Sequence, residues 1–223
     1  MTRTRIKICG LTREQDVDAA VSAGVDALGF VLYAPSPRAV TAKRAAELAK
    51  RLPAFVTPVL LFVNADAEEI SHACAQVPGA WLQFHGDETP EACQNIAIAL
   101  GRRWMRAARI PLETPAGQPP FDLLKYAHDY QNAHALLLDA HVEGYGGGGK
   151  TFNWSQLPQN VNAHLVLSGG LNAANVTEGL SALRGRGLSL AVDVSSGVES
   201  AKGIKDADKI HAFVNAVRLA DAG

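Results

Sequence analysis

Net charge, cysteine and long apolar runs are all scarce in this sequence of 223 residues. The formal net charge of -1 speaks against polyanionic partners, so we expect no binding of nucleic acid and no attachment to a membrane surface. The three cysteines, Cys9, Cys74 and Cys93, are far apart, which indicates a reducing compartment and excludes a disulfide framework. No apolar run approaches the roughly 18 residues that a membrane-spanning helix needs, and no signal-peptide core precedes the first apolar segment. These absences predict a cytoplasmic protein.

Metal ligands and domain boundaries are also lacking. The seven histidines do not show the spacing of metal ligands, so we expect no metal site. No linker, charge block or low-complexity tract divides the chain, and its length suffices for one large core. We therefore expect a single domain over residues 1–223.

Short apolar segments recur along the chain, and we interpret the sequence as eight strand-then-helix units. The predicted strands cover residues 6–9, 27–31, 58–63, 81–84, 103–107, 135–138, 165–167 and 188–192. The predicted helices cover about 13–23, 42–51, 67–76, 121–130 and 206–219, and another begins near 90. Thr12 is the expected N-cap of the first helix. Continuously apolar strands indicate a parallel sheet covered on both faces, so the chain predicts an α/β fold, a (β/α)8 barrel. A doubly wound open sheet is the alternative.

In such a barrel the residues that follow the strands share one rim, where active sites are built. Cys9 lies at the end of the first strand, although a lone cysteine is more often a small buried hydrophobic residue. The rim positions are Cys9, Arg38, Asn64, His85, Asp139, Gly169, Gly170 and residues 193–197. We expect these positions to lie close together.

The loops after the last two strands predict a phosphate site. Gly169 and Gly170 follow the seventh strand, and Ser195, Ser196 and Gly197 follow the eighth. Glycines let backbone N–H groups approach phosphate oxygens, and barrels bind phosphate at these two loops. The alternative is that the glycines only make tight turns. The earlier loops have no Gly-Gly turn, which favours one phosphate site over two.

Three charged or titratable side chains on the rim are candidates for chemistry. Asp139 follows three leucines, and partial desolvation of its carboxyl group suits a general acid; an N-cap or a loop hydrogen bond is the alternative. Arg38 follows two prolines and is suited to a bidentate pair with a carboxylate, or else it is a solvated surface arginine. A histidine such as His85 is more often structural than catalytic.

A glycine-rich segment, 140–151, follows Asp139 and is a candidate lid. Residues 144–151 also match the pattern G-x-x-x-x-G-K-[ST] of nucleotide-binding P-loops. A P-loop needs a strand directly before it and a helix directly after it, whereas Leu138 lies several residues upstream and Pro158 interrupts any helix downstream. The pattern therefore favours a lid over a nucleotide hydrolase.

Eight short motifs follow one another along the chain, from the first predicted strand to the eighth. They are Lys7-Ile8-Cys9-Gly10-Leu11-Thr12, Ser36-Pro37-Arg38, Phe62-Val63-Asn64, Gln83-Phe84-His85-Gly86, Leu138-Asp139, Gly149-Lys150-Thr151-Phe152, Ser168-Gly169-Gly170-Leu171 and Asp193-Val194-Ser195-Ser196-Gly197-Val198-Glu199. With this set the sequence resembles the phosphoribosylanthranilate isomerase family of tryptophan biosynthesis over essentially its whole length.

The resemblance implies a (β/α)8 barrel without a cofactor that performs an Amadori rearrangement, an aldose–ketose isomerisation of a small phosphosugar substrate. It implies that Cys9 is the general base and Asp139 the general acid, with Arg38 on the anthranilate carboxylate. The remaining substrate-binding positions that it implies are Gln83, His85, Gly169, Gly170, Ser195, Ser196 and Gly197. A thiol acts as a base in its thiolate form, so a cationic neighbour is expected to lower its pKa, and Lys7 is the candidate.

Two positions depart from the family pattern: Gly148 replaces a threonine of the lid, and Phe84 replaces a leucine. The alternatives are a related isomerase of histidine biosynthesis, a P-loop-like nucleotide hydrolase and a phosphosugar-binding barrel without catalysis. We expect either a monomer or a homodimer.

Overall fold

Eight parallel strands form a closed barrel in the computed structural model, which describes residues 3–112, 119–141 and 151–222. The strands are β1 (Arg5–Cys9), β2 (Ala27–Val31), β3 (Thr57–Phe62), β4 (Trp81–Phe84), β5 (Trp104–Pro111), β6 (Ala135–His141), β7 (His164–Leu167) and β8 (Ser189–Val194). Each pairs with its neighbour in the sequence, and β8 pairs with β1. The predicted (β/α)8 barrel is thereby confirmed, and the open sheet is excluded.

Seven α-helices surround the barrel within the described residues. They are α1 (Glu14–Ser22), α2 (Ala42–Ala49), α3 (Ala67–Gln76), α4 (Pro90–Leu100), α5 (Leu123–Asp129), α6 (Val176–Leu183) and α7 (Ala207–Ala222). The sixth crossover differs from the others in its described part, residues 151–163, which holds a 3-10 turn, Trp154–Gln156, and no α-helix. No helix was predicted where α6 lies.

The start of α1 also differs from the prediction. Arg13, not Thr12, occupies the N-cap position, and its side chain makes no capping hydrogen bond. The Thr12 hydroxyl instead donates to the carbonyl oxygen of Gly203 at 2.8 Å. Thr12 therefore connects the loop after β1 to a distant part of the chain.

Side chains of the strands alternate between the helices and the barrel interior. Ile6 and Ile8 of β1 are fully buried in the core that the strands share with the helices. The alternate residues, Lys7 and Cys9, therefore point into the barrel and are also buried. This alternation places the polar side chains of β1 inside the barrel, with Cys9 at the carboxyl end of the strand.

A short hairpin follows β8 and was not predicted. A 3-10 turn, Ser196–Val198, leads into β9 (Glu199–Ala201), which pairs antiparallel with β10 (Ile204–Lys205). The hairpin packs back onto the loop after β2, because a Cβ on Gly203 would lie 2.6 Å from the carbonyl oxygen of Pro37. None of the described helices is long and apolar enough to cross a membrane.

Candidate active site

A cleft with about 630 Å³ of empty space, partly open to solvent, lies at the carboxyl ends of the strands. The predicted site residues that line it are Cys9, Arg38, Gln83, His85, Asp139, Gly169, Gly170, Ser195 and Ser196. Gly197 does not line it, and neither does Asn64 of the predicted rim. The structure therefore brings together all the predicted site residues except Gly197.

A second cavity, with about 1350 Å³ of empty space by the same measure, opens at the opposite end of the barrel and is the larger of the two. Its walls include Val59 and Met105 of the interior, and the fully exposed Phe55 stands at its edge. None of the predicted site residues lines this cavity. Lys7, the candidate cation, does line it, whereas Cys9, Arg38 and Asp139 line the cleft at the carboxyl ends of the strands.

Cys9 lies beside Lys7 inside the barrel because β2 carries a glycine opposite them. A Cβ on Gly29 would lie 2.6 Å from Cys9 Sγ and 3.1 Å from Lys7 Nζ, so only glycine leaves room for both. Lys7 Nζ donates to Asp193 Oδ1 at 2.8 Å, and Ser168 Oγ donates to the other carboxylate oxygen at 3.3 Å. Asp193 thereby fixes the ammonium group of Lys7.

Burial dominates the acidity of Cys9. It raises the pKa of the thiol above its ordinary value, while the Lys7 charge acts in the opposite direction without cancelling the rise. Burial also lowers the pKa of Lys7, but Asp193 and Cys9 together outweigh it, so that pKa is raised and Lys7 stays charged. The expected cation is thus in place and acts to lower the pKa of Cys9, but burial outweighs it.

Asp139 is held by a short chain of hydrogen bonds. Its Oδ2 lies 3.0 Å from His85 Nε2, and His85 Nδ1 lies 3.0 Å from Gln83 Nε2. An amide nitrogen only donates, so in this arrangement Nδ1 accepts and Nε2–H of His85 donates to the carboxyl group. Because all three residues are buried, His85 and Gln83 fix the orientation of Asp139 in the cleft.

The loop after β7 offers two free backbone donors. The N–H groups of Gly169 and Gly170 have no hydrogen-bond acceptor among the described residues, and both glycines line the cleft. Both adopt positive φ angles of 79° and 65°. A Cβ on Gly169 would lie 3.0 Å from Asp139 Oδ1, so this loop passes directly beside the carboxyl group. Such free N–H groups are suited to an anion.

The loop after β8 packs against the loop after β7. A Cβ on Gly197 would lie 1.8 Å from the carbonyl oxygen of Leu171, so this glycine permits the contact between the two loops rather than lining the cleft. Ser195 Oγ donates to the carbonyl oxygen of Cys9 at 3.0 Å. Ser195 thereby connects the loop to the end of β1.

Arg38 is neither solvated nor on the surface, so that alternative is wrong. Its side chain is buried and pairs bidentately with Glu199, through Nε at 2.7 Å and Nη2 at 2.8 Å. Lys205 Nζ donates to the same carboxylate at 2.8 Å. The predicted bidentate pair with a carboxylate therefore exists, and the carboxylate belongs to the protein.

Residues 142–150, which include the predicted lid glycines, Gly148 and most of the P-loop match, lie outside the described residues. The described residues that follow, Thr151 to Asn153, are not helical, and the next element is the 3-10 turn Trp154–Gln156. The α-helix that a P-loop requires does not follow the match.

Sequence reasoning missed several residues of the site. Tyr33, Ser36 and Ser168 line the cleft, and Glu199 and Lys205 lie next to it. Glu199 was part of a quoted motif, but its partner is 161 positions away. Within the described residues, no group of three or more His, Cys, Asp and Glu side chains is suited to hold a metal ion.

The cleft thus combines a thiol next to an ammonium group, an oriented carboxyl group, free backbone N–H donors and a guanidinium group. Proton transfer on a bound anionic ligand is the chemistry that this set supports.

Comparison with known proteins agrees with this chemistry. The model of the family described as "N-(5'phosphoribosyl)anthranilate (PRA) isomerase" matches residues 6–216. The N-(5'-phosphoribosyl)anthranilate isomerase of Methylibium petroleiphilum is 63% identical over 220 residues, which cover 99% of this chain and 96% of the relative. That of Dechloromonas aromatica is 54% identical over 98% of both chains.

Solved structures give the same result. The phosphoribosyl anthranilate isomerase of Thermotoga maritima matches with a TM-score of 0.82 and 35% identity over 97% of this chain and 99% of its own. An isomerase crystallised with reduced 1-(O-carboxyphenylamino)-1-deoxyribulose 5-phosphate matches with a TM-score of 0.79 and 32% identity, over 97% and 99% of the two chains. The chain therefore belongs to the N-(5'-phosphoribosyl)anthranilate isomerase family.

Proposed function

We propose that this isomerase converts N-(5-phosphoribosyl)anthranilate into 1-(2-carboxyphenylamino)-1-deoxyribulose 5-phosphate, an Amadori rearrangement of tryptophan biosynthesis. The observation that carries the proposal is one cleft that holds Cys9 and Asp139 beside the free N–H groups of Gly169 and Gly170. An acid and a base that face one bound phosphosugar are what an aldose–ketose isomerisation requires.

The phosphate group binds at the loops after β7 and β8. The N–H groups of Gly169 and Gly170 donate to its oxygens, and Ser195 and Ser196 complete the site from the other loop. Gly197 supports this site indirectly, because it lets the two loops touch. Phosphate bound here places the sugar next to Asp139, since Gly169 contacts both.

Asp139 acts as the general acid. It protonates the ribose ring oxygen, so the ring opens to a Schiff base between C1′ and the anthranilate nitrogen. The hydrogen bond from His85 fixes which oxygen of Asp139 remains available, because Oδ2 is occupied. Gln83 and His85 line the cleft as well and contact the substrate from this side.

Cys9 acts as the general base. Its thiolate takes the proton from C2′ of the Schiff base, and the enolamine that forms tautomerises to the ketone product. Lys7 stabilises the thiolate from within the barrel. Because burial raises the pKa of Cys9, the thiolate is a minor form near neutral pH, and its share increases as pH rises for as long as Asp139 keeps the proton that it donates.

Arg38 binds the anthranilate carboxylate. Its pair with Glu199 uses two of the five N–H donors of the guanidinium group, and Arg38 lines the cleft, so the other donors remain for a ligand.

The remaining expectations stay proposals: one domain over residues 1–223, action without a cofactor, a cytoplasmic location, and a monomer or homodimer. The histidine-pathway isomerase is the second candidate to test, because it shares the barrel. It requires a carboxylate where Cys9 stands and a second phosphate site.

A fluorescence assay that follows the loss of phosphoribosylanthranilate tests the function. We expect turnover by the wild type, and a fall in kcat of at least about 10²-fold for Cys9→Ala and for Asp139→Asn. Cys74→Ala is the matched control, because Cys74 is equally buried but lies in α3. Wild-type rates in Cys9→Ala or Asp139→Asn would remove that residue from the mechanism, and no turnover by the wild type would contradict the proposed function.

A further inference from the structure

The Arg38 side chain is fixed before any ligand arrives. Its Nε and Nη2 atoms donate to the two carboxylate oxygens of Glu199, which occupies one edge of the planar guanidinium group. The three other N–H donors, two on Nη1 and one on Nη2, have no acceptor in the described part of the chain. They form the second edge of the group, and that edge also fits a carboxylate bidentately.

Glu199 is in turn fixed by the hairpin that carries it. Lys205, its partner across β9 and β10, donates to Oε1 of Glu199 and, at 2.9 Å, to the carbonyl oxygen of Ser195. The hairpin therefore connects the guanidinium group of Arg38 with the loop that lies at the proposed phosphate site.

Two glycines allow this close approach. A Cβ on Gly10 would lie 2.5 Å from Cδ of Arg38, and one on Gly203 would lie 2.6 Å from the carbonyl oxygen of Pro37. Both glycines have positive φ angles near 79°, so a side chain at either position is strained as well. The backbone is thus built around one position of the Arg38 side chain.

From this arrangement we infer that Glu199 is a positioning residue that directs the free edge of Arg38 at the carboxylate of the substrate. The inference rests on the proposed function, since it takes an anthranilate carboxylate as the ligand of Arg38. Glu199 touches neither the reacting atoms nor the substrate. It holds the long side chain of Arg38 in one conformation before the ligand binds, so less conformational entropy is lost on binding.

The negative charge of Glu199 does not work against this role, because Lys205 balances it. Burial opposes ionisation of Glu199, but the hydrogen bond from Arg38 and the charge of Lys205 outweigh it, and its pKa is lowered. Burial also lowers the pKa of Lys205, and Glu199 is the strongest influence that opposes that fall. Loss of Glu199 therefore favours neutral Lys205, and the charge around Arg38 changes little.

The test compares two ligands that differ only in the carboxylate. They are reduced 1-(o-carboxyphenylamino)-1-deoxyribulose 5-phosphate and the same molecule with a phenyl ring in place of the carboxyphenyl ring. We expect Glu199→Asp, which keeps the charge but shortens the reach, to weaken the carboxylated ligand about tenfold and leave the phenyl ligand unchanged. For turnover we expect KM to rise by a similar factor and kcat to stay within about twofold of the wild type.

Glu199→Gln provides a second variant with the original length, and we expect the same selective loss. In an Arg38→Ala background neither change at position 199 affects selectivity further, because the residue acts only through Arg38. Asp26→Asn is the control: it removes a carboxylate from an ion-pair cluster at the other end of the barrel.

Equal weakening of both ligands, or unchanged selectivity in both variants, would overturn the inference. Failure of the proposed function looks different, because the wild type would then bind neither ligand and turn over no substrate. If Glu199→Gln fails to fold by circular dichroism, Glu199→Asp decides the matter, since it keeps a negative charge near Lys205.

Discussion

Replacement of Lys7 by methionine tests how the barrel makes a buried thiol basic. Lys7 Nζ and Cys9 Sγ lie 3.1 and 2.6 Å from the Cβ position of Gly29. The two atoms are therefore at most about 5.7 Å apart, and at an effective dielectric constant of about 20 their attraction is about 3 kcal/mol. That energy corresponds to a factor of about 10² in the ratio of thiolate to thiol, so loss of Lys7 raises the pKa of Cys9 further. Asp193, left without its ammonium partner, disfavours the thiolate further.

The sign of the pH dependence follows directly. The reaction needs the thiolate of Cys9 together with the proton on Asp139, and burial already raises the pKa of Cys9. Wherever Asp139 still carries its proton, kcat/KM of the wild type therefore rises with pH as the thiolate forms. In Lys7→Met that pKa moves up again, so we expect kcat/KM near neutral pH to fall about 10²-fold and the thiolate limb of the profile to move to higher pH. The Kd of the reduced product analogue stays unchanged.

Fold stability needs its own control, because Lys7→Met leaves the buried Asp193 unpaired, at a cost of about 3–5 kcal/mol. The double variant Lys7→Met with Asp193→Asn removes both charges and keeps the protein folded for the same measurement. Lys125→Met, in an exposed pair with Asp129, is the matched control that leaves the profile in place. Removal of Asp193 itself favours the thiolate, so the folded double variant is compared with Asp193→Asn alone. The same pH limb in these two variants would refute the role of Lys7.

Three further changes test the site and its frame. Gly169→Ala adds a methyl group at a φ of 79°, directly against Asp139 Oδ1. We therefore expect KM and the Kd of inorganic phosphate to rise at least about tenfold. An unchanged phosphate Kd would contradict the phosphate site. His85→Ala removes the hydrogen bond to Asp139, and we expect kcat to fall by about 10- to 100-fold with little change in KM; a loss in KM alone would make His85 a binding residue only. Glu88→Gln leaves the buried guanidinium group of Arg106 without its carboxylate. We therefore expect the free energy of unfolding, measured in urea, to drop by about 3–5 kcal/mol, with kcat of the folded protein unchanged. Glu88→Gln combined with Arg106→Met recovers much of that loss.

The barrel and its rim were predictable because both depend on local patterns. Helix α3 has the predicted bounds, Ala67–Gln76, and Asp66 caps it by accepting from Glu69 N. Helix α6 was missed although Val176, Leu180 and Leu183 have helical spacing. A glycine in its centre, Gly179, is typical of a break; it is glycine here because a Cβ would lie 2.6 Å from Leu167.

The site was predictable in its location and not in its contacts. The rule that strand ends share a rim placed Cys9 and Asp139 in one cleft, because it requires only the strand assignment. The direction in which Arg38 points depends on Glu199, and no local pattern connects residues of two distant loops. The cation that acts on Cys9 was predictable from the alternation of β1, whereas the rise that burial causes in the pKa of Cys9 was not, because burial depends on the complete barrel.

The three cysteines occupy three different parts of this barrel: Cys9 in β1, Cys74 in α3 and Cys93 in α4, each at most 4% exposed. A thiol reagent in solution can react with them only when the native protein opens locally, so each cysteine reports the opening free energy of its own element. A ligand seated over Cys9 slows labelling of that thiol through direct coverage. Slower labelling of Cys74 or Cys93 under the same conditions measures how far occupancy of the cleft stiffens the outer helices.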